Sequence, residues 1–339
     1  MKLGKNRIHL FIMLFAVSSL LVHIPSDAFA ADTWTDATTN AGNVIVYGVS
    51  MSDANNGVAV GSAGTIAYTT NGGVDWTAAT TTNVGGTQMN AVSMSDANNG
   101  VAVGNSGTIV YTSDGGDTWT VATTTNVGAT HLIGVSMSDA NNGVAVGHTG
   151  TIVYTSDGGD TWTAATTTNV GAGTMEDVSM SDANNGVSVG VGGKIVYTSD
   201  GGDNWTAATT TNVGVHTVFG VSMSDANNGV AVGSAGTIVY TSDGGDTWTA
   251  ATTPLDITNM RGVSMSDANN GVAVGNAGTI VFAGSASSED STTGEEKKSD
   301  TECNDCTAPS LGISQNHKDP VRVIDDGITF NEKSFDVRE

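Results

Sequence analysis

The 339-residue chain carries 34 acidic against 11 basic side chains, a formal charge of −23, with 45 glycines and 4 prolines. So much Gly, Thr, Asn and Asp excludes a helical bundle, because these residues disfavour helix interiors, and fits short strands punctuated by tight turns. The charge excludes nucleic acid as a partner and disfavours anionic membrane surfaces, since no basic patch exists to neutralise phosphates.

Residues 1–30 are expected to form a signal peptide. Lys2, Lys5 and Arg7 make a positive start, the run from Leu10 to Ile24 is mostly apolar, and Ala28-Phe29-Ala30 offers a small-x-small cleavage pattern after Ala30. The apolar run is short for a membrane span, and no later segment approaches spanning length. The expected product is an exported protein, secreted, extracellular or in the cell envelope, with no transmembrane segment after cleavage.

An internal period then decides the architecture. The string Val-Ser-Met-Ser-Asp-Ala-Asn-Asn-Gly starts at Val49, Val92, Val135, Val178, Val221 and Val263, a spacing of 43 residues that shortens to 42 at the last step. Trp34, Trp76, Trp119, Trp162, Trp205 and Trp248 keep the same beat. Each repeat divides into four strand candidates, as in Met89–Ser95, Val101–Gly104, Thr108–Thr112 and Thr118–Thr124. Asp-Ala-Asn-Asn-Gly, Asn-Ser-Gly and Ser-Asp-Gly-Gly-Asp turns join them, and their residues supply the geometries that β-branched side chains resist. Four strands in about 40–45 residues is the size of one propeller blade. The expected fold is therefore all-β: a six-bladed β-propeller over residues 31–284.

The phase of the repeat sharpens this expectation. The chain opens with a lone copy of the fourth strand, Asp32–Thr39, and closes on the first three strands of a sixth unit, ending at Gly284. The N-terminal strand is expected to complete the last blade and close the ring, which removes open interfaces and reduces exposed edges.

The segment Thr112-Ser113-Asp114-Gly115-Gly116-Asp117-Thr118-Trp119 matches the Asp-box, (Ser/Thr)-x-Asp-x-Gly-x-Thr-Trp, and recurs at Thr155–Trp162 and Thr241–Trp248. Thr198–Trp205 carries Asn204 in place of Thr; Thr69–Trp76 carries Asn71 for Asp and Asp75 for Thr. Residues 32–284 thus resemble the Asp-box, or BNR-type, propellers: sialidases, xyloglucanase-type glycosidases, sortilin-type receptors and, most of all, the photosystem II assembly factors. The resemblance implies a propeller in which the box is a structural hairpin. Six blades depart from the seven usual in the assembly-factor group.

Catalysis finds little support in the residue census. Between residues 32 and 284 there is one arginine, Arg261, and one lysine, Lys194, so the arginine cluster a sialidase needs is absent. A glycosidase needs two carboxylates across the scissile bond. Glu176 and Asp177 are the distinctive acidic pair, and adjacent strand residues point to opposite faces. No catalytic residue and no cofactor is expected. The Asp-rich turns crowd onto one edge where calcium could bind, but those side chains are expected to cap their own turns. His131, His148 and His216 are placed in different blades at non-equivalent positions and read as solvated loop residues. Asn204-Trp205-Thr206 is a glycosylation sequon.

Variation among the repeats points to the opposite edge. Two positions before the repeated Val the residues are Tyr47, Asn90, Ile133, Glu176, Phe219 and Arg261, whereas the preceding position is always apolar. This position opens the innermost strand, so the six side chains are expected to ring the channel mouth and contact a ligand, as variable positions on a rigid scaffold do. The expected function is a non-enzymatic scaffold at the cell surface binding a protein or a glycan. An Asp-box glycoside hydrolase and a photosystem assembly factor are the alternatives.

Residues 285–302 read as a flexible linker. Cys303 and Cys306 are expected to form a local disulfide. Val321–Ile324, the turn Asp325-Asp326-Gly327 and Ile328–Phe330 read as a hairpin, so 303–339 is a small tail or a truncated domain.

Overall fold

The computed structural model describes residues 36–39, 44–81, 84–168, 170–211, 214, 216–253 and 258–284. The expected signal peptide, the linker, Cys303 and Cys306, and the tail hairpin lie outside the described residues. All regular structure among those described is β-strand, apart from single 3-10 turns.

The first sheet contains β1 (Thr38–Thr39), β2 (Val46–Met51), β3 (Gly57–Gly61), β4 (Ile66–Thr69) and β5 (Asp75–Ala78). The second contains β6 (Thr80–Thr81), β7 (Met89–Met94), β8 (Gly100–Gly104), β9 (Ile109–Thr112) and β10 (Thr118–Val121). The third is built from β11 (Thr123–Thr125), β12 (Leu132–Met137), β13 (Gly143–Gly147), β14 (Ile152–Thr155) and β15 (Thr161–Ala164). The fourth has β16 (Thr166–Thr168), β17 (Met175–Met180), β18 (Gly186–Gly190), β19 (Lys194–Thr198) and β20 (Asn204–Ala207). The fifth has β21 (Thr209–Thr211), β22 (Val218–Met223), β23 (Gly229–Gly233), β24 (Ile238–Thr241) and β25 (Thr247–Ala250); the sixth has β26 (Met260–Met265), β27 (Gly271–Gly275) and β28 (Ile280–Ala283). The order within the second sheet is β6-β10-β9-β8-β7, and the other five-stranded sheets repeat it.

The expected fourth strand is two strands. The chain runs along β10, buries Ala122, and crosses as β11 to the next sheet, where it pairs parallel to β15 with Thr123 opposite Thr161. Every five-stranded sheet therefore borrows its outermost strand from the repeat before it. Threonine suits this exposed edge, where β-branching favours the strand and the hydroxyl faces water.

The core is divided into layers between consecutive sheets. Val58, Val60 and Ile66 of the first sheet pack against Met89, Val92, Met94 and Trp119 of the second. Val101, Val103 and Ile109 meet Leu132, Met137 and Trp162 in the same way. Trp119, Trp162, Trp205 and Trp248 are fully buried, and each donates its indole N–H to a glycine carbonyl 3.0 Å away in its own turn. That turn needs glycine: Gly116 sits at φ +96°, and a Cβ there would come within 2.7 Å of Val58 Cγ2 on the preceding sheet.

Closure of the ring is not seen among the described residues: Thr38–Thr39 pairs with β5 of the first sheet, the sixth sheet shows three strands, and most of the strand expected to close it, residues 32–35, lies outside the described residues. Among the described residues the outer faces of the first and last sheets are uncovered: Val49 is 62% exposed and Ile280 71%. The Thr run after each Trp strand belongs to the following sheet, and for Thr38–Thr39 that sheet is the first.

Candidate functional site

The first strands of successive units approach closely enough to exclude most side chains. A Cβ on Gly48 would lie 3.3 Å from the Ala91 Cα, and one on Gly220 would lie 3.4 Å from the Gly262 Cα. A repeated hydrogen bond ties this seam: Ser50, Ser93, Ser136, Ser179 and Ser222 Oγ each accept the backbone N–H of the methionine one unit ahead, from Met94 to Met265, at 3.0 Å.

At the start of each of these strands sits an irregularity, as between Met89 and Ala91, which turns the intervening side chain toward the edge. These intervening residues are the six varied ones, one on each of the neighbouring first strands β2, β7, β12, β17, β22 and β26. Arg261 lies over the Phe219 ring, 4.4 Å from its centroid, and its Nε donates to Asn276 Oδ1 at 3.2 Å. Such a stacked guanidinium is fixed in place while its other donors stay available. Asn90 is spent on structure: its Nδ2 donates to Asn105 Oδ1 at 3.0 Å and to the Leu132 carbonyl at 2.7 Å. Ile133 is half-buried, and Tyr47 is exposed at the open end. Burial raises the Glu176 carboxyl above its ordinary value, partly offset by the neighbouring His148.

Two features of this edge escaped the sequence reading. His131 and His148 are partners within one unit, edge to face with ring centroids 5.4 Å apart, because one precedes β12 and the other opens the turn after β13. His131 Nδ1 accepts the Ser106 N–H at 3.1 Å, which links them to the preceding unit. Secondly, Lys194 opens β19, and its Nζ donates to the Val170 carbonyl.

Asp177 departs from its repeat-mates Gly48, Ala91, Gly134, Gly220 and Gly262. Its carboxylate is wedged into the seam, with Oδ1 accepting Val178 N–H at 2.9 Å and Oδ2 accepting Val221 N–H of the next unit at 3.0 Å. Ser188, which stands where the five other units have alanine and is fully buried, donates its hydroxyl to the Asp177 carbonyl at 2.9 Å. Burial pushes the Asp177 carboxyl up to about 6 against the lowering pull of the two backbone donors. Both oxygens are thus occupied inside the seam.

The opposite edge holds the acidic turns. Asp53 Oδ1 accepts the N–H groups of Asn55 at 2.7 Å and Asn56 at 2.9 Å, and Oδ2 accepts Asn56 Nδ2 at 2.9 Å; these bonds, the Asn56 side chain first, hold its carboxyl below the ordinary value. In the Asp-box, Asp114 accepts from the Thr112 hydroxyl at 2.8 Å and from the Thr118 N–H at 2.9 Å and hydroxyl at 2.5 Å. Burial pulls the Asp114 carboxyl upward, but these bonds outweigh it and leave it lowered. The departures from the motif keep the same bonds: Asn204 Nδ2 reaches Asp200 Oδ2 at 2.8 Å, and in the first box Asn71 Nδ2 donates to Asp75 Oδ2 at 2.8 Å with donor and acceptor exchanged. No three His, Cys, Asp or Glu side chains among the described residues come together as a metal would require. No helix among them is long and apolar enough to cross a membrane.

The repeat, its five-stranded sheets and the Asp-box hairpins are matched by a family model. The model for the photosynthesis system II assembly factor YCF48 matches residues 26–172 and 83–219. The chain belongs to the YCF48 family. Its repeat is that of the BNR-type propellers, most like the photosystem II assembly factor. Among solved structures, YCF48 bound to D1 peptide shares 20% identity and a TM-score of 0.56 over 71% of this chain and 79% of that one. An ancestral GH74 enzyme shares 16% identity and a TM-score of 0.55 over 75% of this chain and 40% of its own. The GH74 enzyme of Niastella koreensis shares 19% identity and a TM-score of 0.51 over 72% of this chain and 37% of its own. At these identities the likeness is one of fold. No curated protein matches the chain in sequence. YCF48 membership overturns the expectation of a secreted, extracellular or cell-envelope protein, because the family is defined by assembly of a photosystem, an internal photosynthetic complex.

Proposed function

We propose that this chain is a non-enzymatic assembly factor that holds a polypeptide segment of a photosystem along the varied edge. The carrying observation is that near-identical units carry six different residues at one aligned edge position, where Arg261 is already stacked on Phe219 and Glu176 lies within the electrostatic reach of His148. The family supports a photosystem partner over a cell-surface one, and a relative with a bound D1 peptide supports a peptide ligand over a glycan. The glycosidase alternative loses support at Asp177, whose two oxygens are held by backbone N–H groups within the seam and face no substrate.

The test is binding of a labelled D1-derived peptide, read by fluorescence anisotropy. The double variant Phe219→Ala/Arg261→Ala should bind at least about tenfold more weakly, the loss expected when an aromatic anchor and a charge-assisted contact go together. Asp114→Ala, on the acidic edge, should leave binding unchanged. Equal affinity of the double variant and the parent would refute the reading.

A further inference from the structure

The seam between the fourth and fifth sheets carries two polar residues that the other units lack. Asp177 on β17 replaces the glycine or alanine of its repeat-mates, and Ser188 on β18 replaces their alanine. The two departures fall in one unit and touch, the buried Ser188 hydroxyl donating to the Asp177 carbonyl. The Asp177 side chain then spans the seam, with one oxygen on the Val178 N–H of its own strand and the other on the Val221 N–H of β22. Ser179 Oγ already ties these two strands by accepting the Met223 N–H. The carboxylate adds a second tie, two residues nearer the varied edge.

Both ends of that tie adjoin residues of the edge. Glu176 directly precedes Asp177, and Phe219, under the stacked Arg261, lies two residues before Val221. The surrounding backbone is tightly packed. A Cβ on Gly134 would lie 3.4 Å from the Asp177 Cα, and one on Gly220 would lie 3.3 Å from the Arg261 carbonyl oxygen. A shift of β17 against β22 is therefore passed to Glu176 on one side and to Phe219 and Arg261 on the other.

The geometry points to Asp177 as a positioning residue of the varied edge: its ionised carboxylate, by accepting both N–H groups, fixes the spacing of Glu176 from Phe219 and Arg261, and its protonation releases that spacing. This rests on the reading of the edge as a polypeptide-binding site. An ionised carboxylate offers an oxygen to each donor, whereas a protonated one turns its own O–H toward one of them, so one of the two bonds is lost. Burial places the change at about 6. The strands packed against β17, which are β12, β13, β18 and β22, carry no titratable side chain. The titratable neighbours are Glu176 on β17 itself, His148 in the turn packed against β17, and His131 just before β12. All three remain in the variants below, so their own titrations cancel in the comparison.

NMR of the full chain, followed from about pH 5 to about pH 7.5, tests the positioning without a ligand. In the parent the Val221 N–H should titrate with the Asp177 carboxyl, and the Phe219 and Arg261 resonances should move with the same midpoint. In Asp177→Asn that shared movement should vanish, and Asp177→Ala, which restores the Ala91 pattern, should behave alike. A labelled D1-derived peptide, read by anisotropy, supplies the second arm. Its affinity for the parent, divided by that for Asp177→Asn, should fall up to about tenfold from about pH 7 to about pH 5, as the ionised fraction falls. Phe219 and Arg261 resonances that stay still while Val221 titrates overturn the inference, as does an affinity ratio that does not change with pH. A peptide that binds neither protein at any pH refutes the function proposed for the edge, and the resonances of the free protein then decide the role of Asp177.

Discussion

Asp177 should make the protein lose stability as pH rises through the mildly acidic range, against the usual behaviour of a carboxylate. In the unfolded chain it ionises near 3.8; in the folded seam, near 6. Between these values the folded protein retains a proton that the unfolded chain has released, so stability falls with rising pH. The penalty is absent below the unfolded value and fully developed above the folded one. One pKa unit corresponds to about 1.4 kcal/mol, so the total is about 3 kcal/mol, an upper bound because the residue keeps some solvent contact through which water stabilises the ionised form. The perturbation is Asp177→Asn, which cannot ionise. It retains one acceptor for Val178 or Val221 and turns a donor toward the other, a cost that does not vary with pH. The turn aspartates titrate with the opposite sign: Asp53 and Asp114 contribute stability above their unfolded value that is lost as pH falls through their lowered folded values. Both proteins share those groups, so they cancel in the comparison. Urea unfolding at about pH 4 and about pH 7 gives the four free energies needed. The parent should lose up to about 3 kcal/mol relative to the variant between the two pH values. A difference between parent and variant that is the same at both would refute the wedged-carboxylate account. Asp177→Ala, which restores the Ala91 pattern, should behave like Asp177→Asn.

Other substitutions probe the hairpins and the layers. Asn71→Asp alone places a second carboxylate against Asp75, 2.8 Å from the atom it now donates to, and should cost about 1–2 kcal/mol in thermal or urea unfolding at neutral pH. Adding Asp75→Thr restores the ordinary Asp-box pair and should recover the loss; a double variant no better than the single would show that the exchange is not reciprocal. Trp119→Ala removes a fully buried indole and its 3.0 Å bond to the Gly116 carbonyl, and should cost about 3–5 kcal/mol. Trp76→Ala should cost markedly less by the same assay, because that indole lies on the open rear side of the first sheet and is only half-buried. Equal losses at the two positions would mean that the indole's burial against a preceding sheet does not set its contribution.

What the amino-acid order determined by itself was the repeating unit. Period, turn chemistry and β-branched runs are local properties, so the strand candidates and the Asp-box hairpin were legible from near neighbours along the chain. The aligned edge position was legible too, because the units are near-identical and six different residues at one repeated position stand out against them. What only the tertiary structure decided lies across unit boundaries. The Thr run crosses to the next sheet instead of extending the Trp strand, Asp177 bonds to Val221 one unit ahead, and His131 accepts the N–H of Ser106 from the unit before. Each of these depends on how a unit is rotated and shifted against its neighbour. That placement is set by side-chain volume in the seam, where Gly48 or Gly220 admits a close approach and Asp177 fills it with charge. The same reason governs closure: a repeat specifies the contact from each unit to the next, while the meeting of first and last sheets depends on the accumulated rotation of all the steps between them.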